Sequence, residues 1–329
     1  MNISWSGLEL YSLADRFNLS VVKYIVWSIY LRQLIARIKP DILHAHRVSS
    51  AGWIAAFSGF HPLVVTPWGS DLYLHPLKSR LAKALAKYVL KRADLVTADS
   101  RDLCTQAIRF GANPKRTHLV QWGVDLKLYK PGSKSIDMLT KLKITTEPII
   151  LSPRAVKPIY NLDVIVETIP AIRKHYPGAI YLFRDYNTDP DYKFALEDRI
   201  AALQLNESVR WLERIEPWER NVEIYRLADL AISIASSDGT PGSVLEAFAC
   251  GLPVIASDLP SLREWIINGT NGFLVPPRDP RELADAILNI LEHPGLVDQF
   301  RRENLVLVCR RADQEDEMHK MENLYLELI

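Results

Sequence analysis

The chain has 329 residues, 48% hydrophobic and 24% charged, the composition of a globular protein with enough length for two domain cores. Its 40 Lys and Arg against 39 Asp and Glu leave a formal net charge of +1, which excludes a global basic field for nucleic acid. Cys104, Cys250 and Cys309 form no CxxC pair and stand far apart, which argues against a structural zinc site or a disulfide framework and fits a reducing compartment.

In chain order, the opening stretch shows no basic head followed by an apolar core, so no signal peptide is expected, and no apolar run approaches the ~20 residues of a membrane span. A cytoplasmic protein is the expectation. Residues 20–38 mix Val, Ile, Trp and Tyr with Lys23, Arg32 and Arg37. They read as a core helix with a solvated basic edge, or as an amphipathic helix making peripheral contact with the inner face of a membrane. Strands are predicted at 41–44, 63–66, 95–98 and from 119, with helices at 77–92 and 101–110. Pro131-Gly132-Ser133 and the weakly patterned stretch to 147 break the alternation. They divide a first domain, 1–130, from a second, 148–310, with 131–147 as linker and 311–329 as a C-terminal helix packing back on the first domain. The second domain predicts strands at 148–152, 180–183, 209–212, 230–234 and 253–256. Helices fall between them, one marked by Leu162, Ile165, Ile169 and Ile172 at helical spacing, another at 244–250 stopped by Gly251. Such alternation predicts an α/β protein with two doubly wound parallel sheets in tandem.

The sharpest constellation is ISIASSDGTPGSVLEAFACGLPVI, residues 232–255. A strand runs into a loop at Asp238-Gly239, and a helix follows. Thr240 is expected as N-cap with Pro241 at the first helical position. Gly242, Ser243 and Val244 then present free backbone N–H groups at the positive end of the helix, a site for a diphosphate. Asp238 and Glu246 have seven residues between them. Carboxylates would repel a phosphate they touched, so their task is to accept hydrogen bonds from sugar hydroxyls on either side of it. A structural helix cap with a surface acid is the simpler alternative for any one of these residues alone.

The segment resembles the donor-binding signature of glycosyltransferase family 4, retaining enzymes of the GT-B fold. Asp238-Gly239-Thr240-Pro241, Leu245-Glu246-Ala247, Ala249, Gly251, Pro253 and Val254 carry the match. Further residues in order are Pro40-Asp41-Ile42-Leu43-His44-Ala45-His46, Gly69-Ser70-Asp71, Arg92-Ala93-Asp94, Gly123-Val124-Asp125 and Asn271-Gly272-Phe273-Leu274-Val275. The resemblance implies two Rossmann-like domains facing across a cleft, with the N-terminal one shortened relative to the family. It implies that Glu246 holds the ribose of a UDP-, GDP- or ADP-sugar, with Asp238 where a Glu usually meets the transferred sugar. It places Arg154 on the diphosphate. Tyr160 occupies the usual Lys position, and Lys157 is the nearest replacement, or else a solvated loop lysine. His46 resembles a position near the reacting sugar, or is a histidine packed at a strand end. Asp71 orients the acceptor, or caps the next turn. The loop 183–187 replaces the usual Gly-acid-Gly turn.

The expected activity is metal-independent retaining transfer to a glycan, a lipid-linked sugar or a metabolite, with the nucleotide sugar as substrate and no cofactor. Asp189-Pro190-Asp191 is the only Asp-x-Asp triplet and reads as a turn. A catalytically silent nucleotide- or partner-binding relative and a sugar-nucleotide epimerase of the same fold are the alternatives. No GxGxxG follows a strand, which disfavours a Rossmann dehydrogenase.

Overall fold

The computed structural model describes residues 22–145 and 148–329. The opening residues examined for a signal peptide, together with Ser20 and Val21, lie outside that range. The described chain opens with α1 (Val22–Ile38), β1 (Leu43–His46), α2 (Ala51–Ser58), β2 (Leu63–Thr66), α3 (Ser70–Tyr73), α4 (Arg80–Arg92), β3 (Leu95–Ala98), α5 (Arg101–Arg109) and β4 (Thr117–Leu119). The four strands pair in parallel in the order β1-β2-β3-β4. The strand predicted at 41–44 begins two residues later, and the last strand ends at Leu119. A short 3-10 turn, His75–Leu77, precedes α4, whose N-cap Ser79 accepts from the Ala82 N–H.

Helix α6 (Ile136–Lys141) falls inside the stretch expected to be a plain linker. Ser135 caps it, and Met138 and Ile144 are buried in the core of the second sheet. Then follow β5 (Ile149–Ala155), α7 (Leu162–His175), β6 (Ile180–Arg184), α8 (Pro190–Ala202), β7 (Val209–Leu212), α9 (Asn221–Leu227), β8 (Leu230–Ser233), α10 (Gly242–Ala249), β9 (Val254–Ser257), β10 (Phe273–Val275), α11 (Pro280–Glu292), α12 (Pro294–Arg311) and α13 (Gln314–Leu326). Asp189-Pro190-Asp191, expected as a turn, is the start of α8, where Asp189 caps the Tyr192 N–H at 3.1 Å.

The second sheet has the order β10-β9-β8-β5-β6-β7, all parallel. Its strands alternate between two buried faces. Ile149, Leu151, Leu182 and Ala256 enter one core; Ile150, Tyr181, Phe183 and Ile255 enter the other. Burial on both faces is why these strands read as continuous apolar runs. Each fully buried Ile or Leu contributes about 1.5–3 kcal/mol by leaving water. The strand order runs outward in both directions from β5 and β8. The carboxyl ends of those two strands form the topological switch point, where a doubly wound sheet leaves a crevice.

The two halves touch. The Val124 N–H donates to the Ala312 carbonyl at 2.8 Å, and the Tyr325 hydroxyl of α13 sits 2.6 Å from His44 Nδ1 on β1. Gly69, at φ 106°, presses on the loop after β8. A Cβ there would lie 2.7 Å from the Gly239 nitrogen, so only glycine permits this approach.

Candidate active site

The switch point holds an ion pair. β5 shifts its register between Ser152 and Ala155, and Arg154 stands in that irregularity. Its Nη2 donates to Asp238 Oδ2 at 2.7 Å and its Nη1 to Ser243 Oγ at 3.1 Å. The Tyr160 ring lies 4.2 Å from the guanidinium. Burial pushes the Asp238 carboxyl up, and the Arg154 charge opposes that. Arg154 and Asp238, expected at different parts of a ligand, are thus each other's partners here.

One turn into α10, Glu246 accepts a hydrogen bond from the Tyr225 hydroxyl. Burial raises its carboxyl, while Tyr225 and the charge of Arg184 pull it back. Arg184 ends β6 with 4% of its surface exposed. Its Nη2 donates to Asn221 Oδ1 at 2.9 Å, Tyr186 stacks 4.5 Å from it, and its Nε has no partner among the described residues. In sequence the 183–187 loop stands out as changed, while Arg184 itself does not stand out as functional. An arginine closing a wholly apolar strand was the available signal, because a guanidinium enters such a place only to meet charge or hydrogen-bond acceptors.

The start of α10 differs from expectation. Pro241, not Thr240, is the N-cap, and no side chain caps the helix. The Thr240 hydroxyl instead donates to the Asp99 carbonyl at 2.6 Å and accepts from Trp265 Nε1 at 3.0 Å. A tertiary contact between the two halves took the side chain that local chemistry would have spent on the cap. The first turn is left open: a Cβ built on Gly242 would meet no atom within 4 Å. Against expectation the Val244 N–H is not free: it donates to the Pro241 carbonyl at 2.9 Å, which leaves the Gly242 and Ser243 N–H groups open.

Across the cleft, the Asp99 carboxyl is buried against Gly239, where a Cβ would lie 2.4 Å from its Oδ1. Burial drives it up to about 8, with the Thr240 N–H opposing and Asp238 and Asp71 adding to the rise. Asp99 does not stand out in sequence, because its burial comes from the meeting of the two halves. Asp71 accepts from the Val48 N–H at 2.6 Å and the Trp68 N–H at 2.8 Å, so it braces two loops. His46 ends β1 beside Trp68 and Trp122, at 5.9 and 5.5 Å between ring centroids. Lys157 stands apart from Arg154 and Asp238 in its bonding, donating to Asn187 Oδ1 at 2.9 Å. The structure therefore gathers Arg154, Asp238, Gly239, Gly242, Ser243, Val244 and Glu246 around one loop and helix start. Thr240 lies beneath it, and His46 and Asp71 belong to the facing sheet. Among the described residues no group of three or more His, Cys, Asp or Glu is placed to hold a metal ion, and no helix is long and apolar enough to cross a membrane.

Two Rossmann-like parallel sheets meeting at such a cleft define the GT-B class of fold. Solved structures agree: HepE of Anabaena in complex with UDP and glucose matches with a TM-score of 0.80 at 21% identity, over 92% of this chain and 81% of that one. Sucrose-phosphate synthase of Thermosynechococcus elongatus matches with 0.81 at 21% identity, over 97% and 80%. The family model described as glycosyl transferases group 1 matches residues 136–305, more than half of the chain, and one described as glycosyl transferase 4-like matches 5–100. The chain belongs to the group 1 glycosyl transferases. Among curated relatives, the D-inositol 3-phosphate glycosyltransferase of Geodermatophilus obscurus is 28% identical over 293 residues, 80% of this chain and 62% of that protein. Its namesake from Nocardia farcinica is 27% identical over 293 residues, 83% and 62%. The chain thus spans about 62% of the length of these relatives.

Proposed function

We propose that this chain transfers a sugar from a nucleoside-diphosphate sugar to an acceptor hydroxyl with retention of anomeric configuration. The observation that carries the reading is the Arg154–Asp238–Ser243 cluster at the open first turn of α10, with Glu246 one turn further in. The diphosphate lies against the Gly242 and Ser243 N–H groups and the Arg154 guanidinium. Both are fixed before the reaction and face the charge that grows on the departing phosphate. The ion pair with Asp238 keeps Arg154 from collapsing elsewhere, and Asp238 in turn accepts from a hydroxyl of the transferred sugar. Glu246, oriented by Tyr225, accepts from the ribose hydroxyls. Arg184 supplies positive charge behind Glu246. The acceptor enters from the first-sheet side and attacks on the face from which the phosphate leaves, and that phosphate takes the proton. Lys157 joins the diphosphate only by leaving Asn187.

UDP-glucose is the first donor to test, because a structural neighbour was solved with it. The chain is incubated with UDP-glucose and a mixture of acceptors, and the products are followed by proton NMR. A new α-glucoside, or α-glucose released to water, supports the reading. A different sugar nucleotide means epimerisation. Donor that binds and stays intact with every acceptor and every nucleotide tried means a silent relative.

A further inference from the structure

The helices packed on the first sheet present a surface that donor binding does not use. Between Asp71 and Asp94 the chain has no Asp or Glu, yet it carries Lys78, Arg80, Lys83, Lys87, Lys91 and Arg92. On α4, Arg80, Lys83, Lys87 and Lys91 recur at helical spacing, and all four are exposed. Among the described residues, Lys78, Arg80, Lys83 and Lys87 form no ion pair. Beside this basic stripe runs an apolar one. Leu81 is 57% exposed, Ala84 and Tyr88 follow it on the same side in water, and Leu77, in the turn before the helix, is 77% exposed. The core takes Ala82, Ala86, Val89 and Leu90, so α4 is apolar over more of its surface than the fold requires.

Helix α1 extends the apolar side. It packs on α2, with the Tyr24 and Trp53 rings 4.9 Å apart, and leaves Ile25 and Ile29 52% and 51% exposed. α2 in turn meets α4 through Phe57 and Tyr88, 5.5 Å apart. The basic edge expected on residues 20–38 is partly turned inward. Arg32 donates to the Phe57 and Ser58 carbonyls at 2.7 and 2.8 Å, and Lys23 Nζ lies 5.3 Å from the Trp27 ring. Most of the free positive charge on this layer therefore comes from α4.

We propose that this face docks on a bilayer rich in anionic lipid, with α4 lying in the headgroup plane and Leu77 and Leu81 inserted below it. A helix at such an interface needs an apolar edge for the acyl boundary and cations for the lipid phosphates, side by side. Lysine meets both demands, because its stem lies along apolar surface while its ammonium reaches the headgroups. A protein partner fits less well, since lysine is depleted from protein–protein interfaces. Nucleic acid would take up the cations and leave the leucines in water. Gly69, which touches Gly239 across the cleft, lies just ahead of Leu77, so docking brings the cleft end of the first sheet towards the lipid. The surface is separate from the donor residues, and its test is independent of the transferase reading.

The test is co-sedimentation of the full chain with large vesicles, made of phosphatidylcholine alone or of equal parts phosphatidylcholine and phosphatidylglycerol. The chain should pellet with the anionic vesicles and not with the neutral ones, and added salt should release it. Lys83→Gln combined with Lys87→Gln should weaken that binding about 10–30-fold. Leu81→Ser, which keeps every charge, should weaken it about 3–10-fold. Lys174→Gln, an exposed charge on α7 of the second sheet, should leave it unchanged. Thermal unfolding of all these variants should match that of the parent chain, because the side chains removed are exposed. Binding that is absent, that ignores lipid charge, or that survives the double lysine variant overturns the proposal. So does binding that Leu81→Ser leaves at the parent value, which is adsorption by charge alone, and so does retention by duplex DNA with none by vesicles.

Discussion

The two sheets present opposite chemistries to the same cleft. The edge of the six-stranded sheet is charged and tightly bonded: Arg154 with Asp238 and Ser243, Glu246 with Tyr225, Arg184 with Asn221. The edge of the four-stranded sheet carries an aromatic corner, with exposed Trp68 and the His46 ring beside it. A diphosphate has fixed charge and geometry, so a preorganised cationic site suits it. A ligand with a C–H face needs area and a polar rim instead. Donor-side substitutions should therefore act through charge and burial, and substitutions in the aromatic corner through ring shape.

The largest effect is expected from Arg154→Ala. It strands a mostly buried Asp238 carboxylate and should lower unfolding stability by about 3 kcal/mol, read by urea titration. Arg154→Ala combined with Asp238→Asn should recover part of that loss, since the stranded charge is gone. Equal stability in the single and double variants would show that the pair is not coupled, and the donor side would lose its distinguishing feature.

Asp99 tests the seam between the sheets. Burial puts its folded-state carboxyl at about 8. The unfolded value is about 3.9, so the folded chain binds this proton more tightly. The stability this contributes is complete below about pH 4 and is lost as pH rises through about 8. Asp99→Asn, which cannot ionise, should flatten that decline and leave the variant about 1–3 kcal/mol more stable than the parent chain at pH 8.5. Parallel stability profiles from pH 5 to pH 8.5 would mean that Asp99 is ionised throughout. The smallest effect belongs to Lys157→Ala. Its exposed bond to Asn187 contributes about 0.5–1 kcal/mol at most, so stability should barely move and nucleotide affinity should fall less than about threefold. A larger loss of affinity would bring Lys157 into the donor contacts.

Much of this architecture was legible in sequence. The strands Leu63–Thr66, Leu95–Ala98 and Val209–Leu212 stand where their apolar runs predict, because burial on both faces selects such runs. Around the loop after β8, the spacing of Asp238, Gly242 and Glu246 marked a strand–loop–helix unit that the structure contains. What could not be read was whatever depends on the other half of the chain. Thr240 has a good N-cap side chain, yet it bonds to Asp99 across the seam. Asp99 looks like an ordinary turn residue until Gly239 closes over it. The Trp68–Trp122 pair comes from distant segments, and no local period announces their meeting. Helix α6 hid for a related reason: Met138 and Leu139 give it an apolar side only once the second sheet is there to receive them.

The most direct test of the donor site is calorimetric titration of the 329-residue chain with UDP, GDP and ADP, repeated on Glu246→Ala. One nucleotide should bind, and the variant, still folded, should bind it about 10–100-fold more weakly, the loss of hydrogen bonds to a charged acceptor. A folded, monodisperse chain that binds none of the three, or a Glu246→Ala variant with unchanged affinity, would contradict it.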